Sequence, residues 1–121
     1  MLFSEMDKHV TIYDQLKEGG GPVILINVFT VDPKEADQLL AAWAEDAAYM
    51  KRQPGFISTQ LHRGIAGSGA FLNYAVWESV EHFRRAFENP EFQAKLSHYP
   101  ASATASPHLF RKAAVAGICV A

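Results

Sequence analysis

The chain of 121 residues has little cysteine and no long hydrophobic run. Cys119 is its one thiol, so an internal disulfide is impossible and a reducing compartment is expected. No apolar run approaches the roughly 20 residues that a transmembrane helix needs, and the first ten residues lack the hydrophobic segment typical of a secretory signal. These absences predict a cytoplasmic protein without a membrane partner.

Excess positive charge and metal-binding motifs are also missing. Eleven basic and thirteen acidic residues leave a net charge of -2, and no basic stripe suggests a nucleic-acid partner. The five histidines occur in no His-x-x-His or Glu-x-x-His pattern, so neither a metal nor a cofactor is expected. Glycine-rich nucleotide motifs and the G-x-S-x-G motif of serine hydrolases are absent as well.

The sequence predicts an N-terminal extension, residues 1–21, and one domain, residues 22–121. Within the domain, segments in which apolar and polar residues alternate are mixed with segments of helical periodicity. The segment from Val10 to Tyr13 is a candidate short strand in the extension, before a glycine run. Residues 23–31 predict a strand that is apolar on both faces, and residues 32–53 predict a helix that Asp32 caps. Alternation predicts strands over 56–63 and 70–78, joined by a hairpin loop.

The second half of the domain predicts two short helices and a last strand. Ser79 and Asn89 are the expected N-caps of the helices, residues 100–107 are a loop, and the last strand lies within 108–120. This βαββαβ order is typical of an α+β, ferredoxin-like fold, with helices on one face of an antiparallel sheet. Because the strands are apolar on both faces, a second copy is expected to cover the helix-free face, which makes a dimeric barrel.

Asn73 and Trp77 are the strongest candidates for chemistry. They lie four residues apart in "NYAVWES", so they share one face of a strand. Both are hydrogen-bond donors, which either line a pocket for a polar ligand atom or serve packing, and spacing alone favours packing. We expect them to project into a chamber closed by the partner on the helix-free side.

Two further polar residues have open roles. Asn27 lies in the middle of "ILINVF", where an amide either faces the same pocket or bonds to a neighbouring strand. His62, near the end of its strand, is either a general base or a surface histidine.

The segments "QPGF…LHR" and "NYAVWES" resemble the antibiotic biosynthesis monooxygenase superfamily, and the resemblance covers about residues 22–115. It implies a dimeric α+β barrel in which phenolic polyketides or quinols are oxidised by dioxygen without metal or flavin. It also implies that Asn73 and Trp77 are the catalytic pair and that Tyr74 lines the pocket. A pocket tyrosine of those enzymes falls on Phe83 here, and the iron-binding histidine of a haem-degrading branch falls near Leu96. Asn27 matches an asparagine of that branch.

The sequence therefore predicts a monooxygenase that oxidises a phenol, hydroquinone or polyketide-like aromatic with O2. Asn27, Tyr74, His62, Phe83 and Leu96 are its expected substrate-binding residues. The alternative is a non-catalytic dimer that binds a small hydrophobic molecule, and haem degradation is less favoured because the axial histidine is missing.

Overall fold

The computed structural model describes residues 1–121, and its centre is one five-stranded sheet. The strand order across the sheet is β1-β5-β2-β4-β3. β1 pairs with β5 in parallel, and the other pairs are antiparallel. The strands are β1 (Leu2–Phe3), β2 (Val23–Thr30), β3 (Phe56–Arg63), β4 (Ala70–Trp77) and β5 (Thr104–Phe110).

Four α-helices and two 3-10 turns connect the strands. After the first 21 residues the order is β-α-β-β-α-α-β, which confirms the predicted ferredoxin-like plan. None of these helices has the length and hydrophobicity that a membrane-spanning segment requires. The helices are α1 (Ile12–Gln15), α2 (Ala36–Met50), α3 (Val80–Glu88) and α4 (Pro90–Lys95), and the 3-10 turns are Pro33–Glu35 and Leu96–His98.

The predicted helix caps explain where the helices begin. Asp32 accepts a hydrogen bond from the Lys34 backbone N–H at 3.0 Å, although a 3-10 turn precedes α2 and the reciprocal Glu35 contact of a capping box is absent. Ser79 caps α3 through the His82 N–H at 3.1 Å, and Asn89 caps α4. Each cap satisfies a backbone donor that the first helical turn leaves free.

The extension differs from its prediction. The segment around Ile12 is helical rather than extended, because Thr11 and Asp14 form a capping box that begins α1. The strand of the extension is instead β1, whose Leu2 and Phe3 lie opposite Thr104 and Ala105. The extension thereby adds an edge to the sheet.

The last strand also lies earlier than predicted. β5 covers residues 104–110, whereas residues 111–121 are exposed and contain only an isolated bridge between Val115 and Cys119. Pro107 made this segment resemble a loop. The N–H of Leu109, two residues later, points away from β2 to the Gln15 side chain, at 2.7 Å. Proline is therefore tolerated at residue 107, because the N–H that it lacks would also point away from β2.

The core lies between one face of the sheet and the helices. Phe29 stacks on Tyr99 at 5.7 Å, and Trp77 contacts Phe83 of α3 at 5.7 Å. Because side chains alternate along strands, Asn27 and Asn73, which lie opposite each other in the β2–β4 pair, share this face. A bulge near Phe56 turns its ring onto the same side as Trp77, whereas strict alternation along β3 would place it on the side of Ser58.

Candidate active site

A cavity opens between the sheet and the helices of a single chain. Its empty volume is about 660 Å³, counting the open mouth, and 15 of its 20 lining residues are hydrophobic. Small-molecule sites commonly combine an apolar lining with a few polar groups. The polar side chains here belong to Asn27, Asp46, Thr59 and Asn73, and Trp77 and Tyr99 add an indole N–H and a hydroxyl.

The predicted chamber between two copies is thus wrong about the side of the sheet. Asn73 and Trp77 face the helices, not the helix-free surface. Alternation along a strand shows which residues share a face, but not which face the helices cover. Aromatic residues of α3 and α4 pack against the Trp77 side, and this packing decides the orientation.

Asn73 is held so that its amide donors remain available. The Thr59 hydroxyl of β3 donates to Asn73 Oδ1 at 2.5 Å. Once this oxygen is engaged, the Nδ2 group is the remaining polar end, and no protein acceptor binds it. The amide therefore presents N–H donors to whatever enters the cavity.

Trp77 is fixed by its aromatic neighbours. Only 1% of its surface is exposed, and its ring meets Phe56 edge-on at 5.5 Å and Phe83 at 5.7 Å. Such edge-to-face pairs restrict the ring to one orientation. The indole Nε1–H has no hydrogen-bond acceptor in the protein, and Trp77 is one of the residues that line the cavity.

Just two buried polar side-chain atoms in the chain lack a hydrogen-bond partner, and both belong to residues that line the cavity. They are Oδ1 of Asn27 and Oδ1 of Asp46. A buried acceptor without a donor costs about 1–3 kcal/mol of stability, so each such atom needs an explanation. Asn27 therefore does not use this oxygen to bond to a neighbouring strand, which was one of its two predicted roles.

Asp46 and Tyr99 form a buried pair that sequence reasoning missed. Asp46 is 6% exposed, and the Tyr99 hydroxyl donates to its Oδ2 at 2.5 Å. Burial raises the pKa of Asp46 to about 6, although the Tyr99 hydrogen bond and the Lys95 charge act in the opposite direction. Burial, followed by the charge of Asp46, raises the pKa of Tyr99 far above its usual range.

A signal for Asp46 was present in the sequence. It lies three residues after Trp43 and four before Met50, so an acidic residue interrupts the apolar stripe of α2. The pairing with Tyr99 had no such signal, because 53 residues separate the partners.

The remaining predicted site residues divide between the two faces. Phe83 and Leu96 line the cavity. Tyr74 and His62 do not line the cavity, so their predicted assignment to the pocket is wrong. Tyr74 follows Asn73 directly in β4 and therefore points to the opposite face of the sheet, where it is 40% exposed. His62 is exposed on that same face, opposite Leu72. No group of three or more potential metal ligands is present anywhere in the chain.

Known proteins share this fold and this sequence pattern. Deoxynogalonate monooxygenase of Streptomyces nogalater is 34% identical over 88 residues, which cover 73% of this chain and 74% of that protein. A heme oxygenase (mycobilin-producing) of Mycobacterium tuberculosis is 30% identical over 77 residues, 64% of this chain and 73% of that protein.

The crystal structure of SnoaB, a cofactor-independent oxygenase from Streptomyces nogalater, superposes with a TM-score of 0.66 at 31% identity. The match covers 78% of this chain and 96% of SnoaB. The family model described as antibiotic biosynthesis monooxygenase matches residues 22–95, which include β2, α2, β3, β4 and both following helices. The chain therefore belongs to the antibiotic biosynthesis monooxygenase family.

Proposed function

We propose that this protein is a cofactor-independent monooxygenase that oxidises a phenolic, hydroquinone or polyketide-like aromatic with O2. The observation that carries the proposal is the pair of free donors, Asn73 Nδ2 and Trp77 Nε1, in a cavity lined by aromatic rings. An apolar cavity accommodates an aromatic ring, and two fixed donors stabilise negative charge on a ring oxygen. The likeness to a cofactor-independent oxygenase supports the same chemistry.

The reaction follows from stabilising an anion. Donors directed at the ring oxygen lower the pKa of the bound substrate, and each unit of pKa corresponds to about 1.4 kcal/mol. The substrate anion passes one electron to O2, and the two radicals combine into a C–O bond. The resulting peroxide loses a hydroxide ion while the carbon loses its remaining proton, so a CH2 group and O2 yield C=O and water. The substrate supplies the electrons, and the protein orients and polarises it.

Haem is not proposed as a ligand, although one relative is a heme oxygenase. No histidine or cysteine lines the cavity, and Leu96 lies in the wall where the resemblance had placed an axial histidine. The Tyr99 hydroxyl, another possible iron ligand, is bonded to Asp46. The lining therefore lacks a free ligand of the kind that fixes haem iron.

Oxygen consumption tests the proposal. We expect the purified protein, treated with a chelator and without added cofactor, to consume O2 when given at least one member of a panel of anthrones and hydroquinones. Mass spectrometry should show one oxygen atom from ¹⁸O2 in the product, because O2 supplies the new carbonyl oxygen. A matched panel of methyl ethers, which cannot form the anion, should be inert. No uptake above the non-enzymatic rate with any member of the panel would favour the alternative, a non-catalytic binding protein.

We also propose that two copies associate through the helix-free face of the sheet. This face carries branched apolar side chains from β2 and β4, together with Tyr74, and no helix of the chain covers it. Bare apolar surfaces of this kind mark association sites in soluble proteins. Because the cavity lies within one chain, association and the site can be tested separately.

We expect light scattering after size-exclusion chromatography to give twice the chain mass for the wild type. Val28→Lys, which adds a charge to the centre of the proposed interface, should yield monomers. Lys34→Glu, on the exposed turn before α2, is the control and should leave the mass unchanged. A wild type that remains monomeric at high concentration would refute the association.

A further inference from the structure

Asp46 adds to the cavity a carboxylate, which is a proton acceptor of a kind that the donor pair of β4 lacks. The proposed reaction needs an acceptor for the proton that the substrate loses, and neither the Asn73 amide nor the Trp77 indole can act as a base near neutral pH. Asp46 is the one acidic residue that lines the cavity. It lies on α2, across the cavity from the β4 donors.

The geometry of Asp46 differs from that of a structural aspartate. A buried carboxylate normally has both oxygens satisfied, whereas here the Tyr99 hydroxyl binds Oδ2 and nothing in the protein binds Oδ1. The side chain lines the cavity wall and is more than nine-tenths buried, and Oδ1 itself has almost no accessible surface. A donor group on a ligand would satisfy Oδ1 once a small rotation of the carboxylate turns it towards the cavity, since catalytic hydrogen bonds commonly tighten only in the substrate complex.

We propose that Asp46 Oδ1 is the catalytic base of this site, that Tyr99 positions the carboxylate, and that the substrate carries its acidic hydrogen on the edge opposite the oxygen bound by Asn73 and Trp77. This inference rests on the proposed function and assigns it a substrate class. The class consists of rings with oxygen at two opposite ends and rings with an acidic C–H opposite a ring oxygen. Such a substrate can accept from Asn73 and Trp77 at one end and donate to Asp46 at the other.

The proton balance is complete. The acidic O–H or C–H bond breaks, its proton passes to Asp46 Oδ1, and the electron pair stays on the substrate, which then reduces O2. When the peroxide breaks down, its leaving hydroxide takes the proton from Asp46 and departs as water. The base is thus regenerated without another reactant.

Several charged groups surround Asp46, and a test by pH must separate them. The charges of Lys95 and His98 lower its pKa, and the charge of Glu45, to which His98 is bonded at 2.6 Å, raises it. An Asp46→Asn variant keeps His98, so a pH effect that disappears in this variant belongs to Asp46.

The test measures the binding of a ligand that reacts negligibly with O2. Trp fluorescence reports the binding at pH 5 and at pH 7.5. 6-Methoxy-2-naphthol offers an acceptor at one end and a donor at the other, whereas 2,6-dimethoxynaphthalene has no donor. We expect the naphthol to bind the wild type about tenfold more tightly at pH 7.5, because an ionised carboxylate is the stronger acceptor. The dimethyl ether should show no such step.

The variants identify the groups. Asp46→Asn should abolish the pH step, and Asp37→Asn, an exposed aspartate in the first turn of α2, should retain it. Tyr99→Phe should move the midpoint to higher pH, because the Tyr99 hydrogen bond lowers the pKa of Asp46. A purely structural Tyr99 would weaken binding without moving the midpoint.

Three results would overturn the assignment of Asp46: no binding of the naphthol, binding without a pH step, or an unchanged step in Asp46→Asn. Oxygen uptake by Asp46→Asn at the wild-type rate would also overturn it while leaving the proposed function intact. Conversely, the expected pH step in a protein that consumes no O2 would contradict the oxygenase proposal and support Asp46 as the acceptor.

Discussion

Replacing Asn73 by Ala, or Trp77 by Phe, is expected to lower kcat/KM for O2-dependent oxidation by about 10²- to 10³-fold each. Removing one donor from a site that stabilises an oxyanion has an effect of this order. The structure supplies the reason, since neither donor has another acceptor and both face the cavity. Oxygen uptake at saturating and limiting substrate measures the change and separates kcat from KM.

Tyr74→Phe is the matched control for these variants. Tyr74 neighbours Asn73 in β4 but points to the opposite face, so its loss of a hydroxyl should leave the rate within about twofold. The kcat/KM of Thr59→Val should lie between that of Tyr74→Phe and that of Asn73→Ala. This variant loses the hydroxyl that orients the Asn73 amide at 2.5 Å, but it keeps the amide donor itself. Wild-type rates in both Asn73→Ala and Trp77→Phe would show that the donor pair is not the catalytic site.

Asp46→Asn is expected to stabilise the protein at neutral pH. The pKa of Asp46 is about 6 in the folded chain and 3.8 as an ordinary aspartate, so the folded state holds its proton more tightly than the unfolded state. Below pH 3.8 this contribution to stability is fully present, and it is lost as pH rises through 6. The difference of about two units corresponds to about 3 kcal/mol.

Urea unfolding of the wild type and of Asp46→Asn at pH 3.5 and 7.5 measures this effect. The free energy of unfolding of the variant, minus that of the wild type, should increase by about 3 kcal/mol between the two pH values. Taking the difference between the proteins cancels the other titrating groups. A difference that does not change with pH would mean that Asp46 ionises as easily in the folded chain as in the unfolded one.

The two expected results for Asp46 together carry a functional argument. A residue whose charge destabilises the fold by this amount would be replaced by Asn at little structural cost, since Asn can still accept from Tyr99. Sites that retain such costly groups are commonly those that perform chemistry. Stability gained and turnover lost in the same variant would show that trade-off directly.

Local patterns predicted much of the fold. Strict alternation located β3 and β4, the β-branched run located β2, and the capping residues Asp32, Ser79 and Asn89 marked where the main helices begin. These signals succeed because caps and alternation involve neighbours in sequence. β5 was misplaced because its Ala-Ser-Pro segment, residues 105–107, is typical of a loop rather than a strand, and pairing with β2 overrides this local preference.

The site was predictable only in part, and the division has a physical cause. The sequence by itself determined that Asn73 and Trp77 share a strand face, because the side-chain period of a strand is local. Only the tertiary structure decided that this face meets the helices, that Thr59 orients the Asn73 amide, and that Asp46 and Tyr99 meet across 53 residues. Those relations arise from packing between segments that are distant in the sequence, and a local sequence pattern does not predict which distant segments pack together.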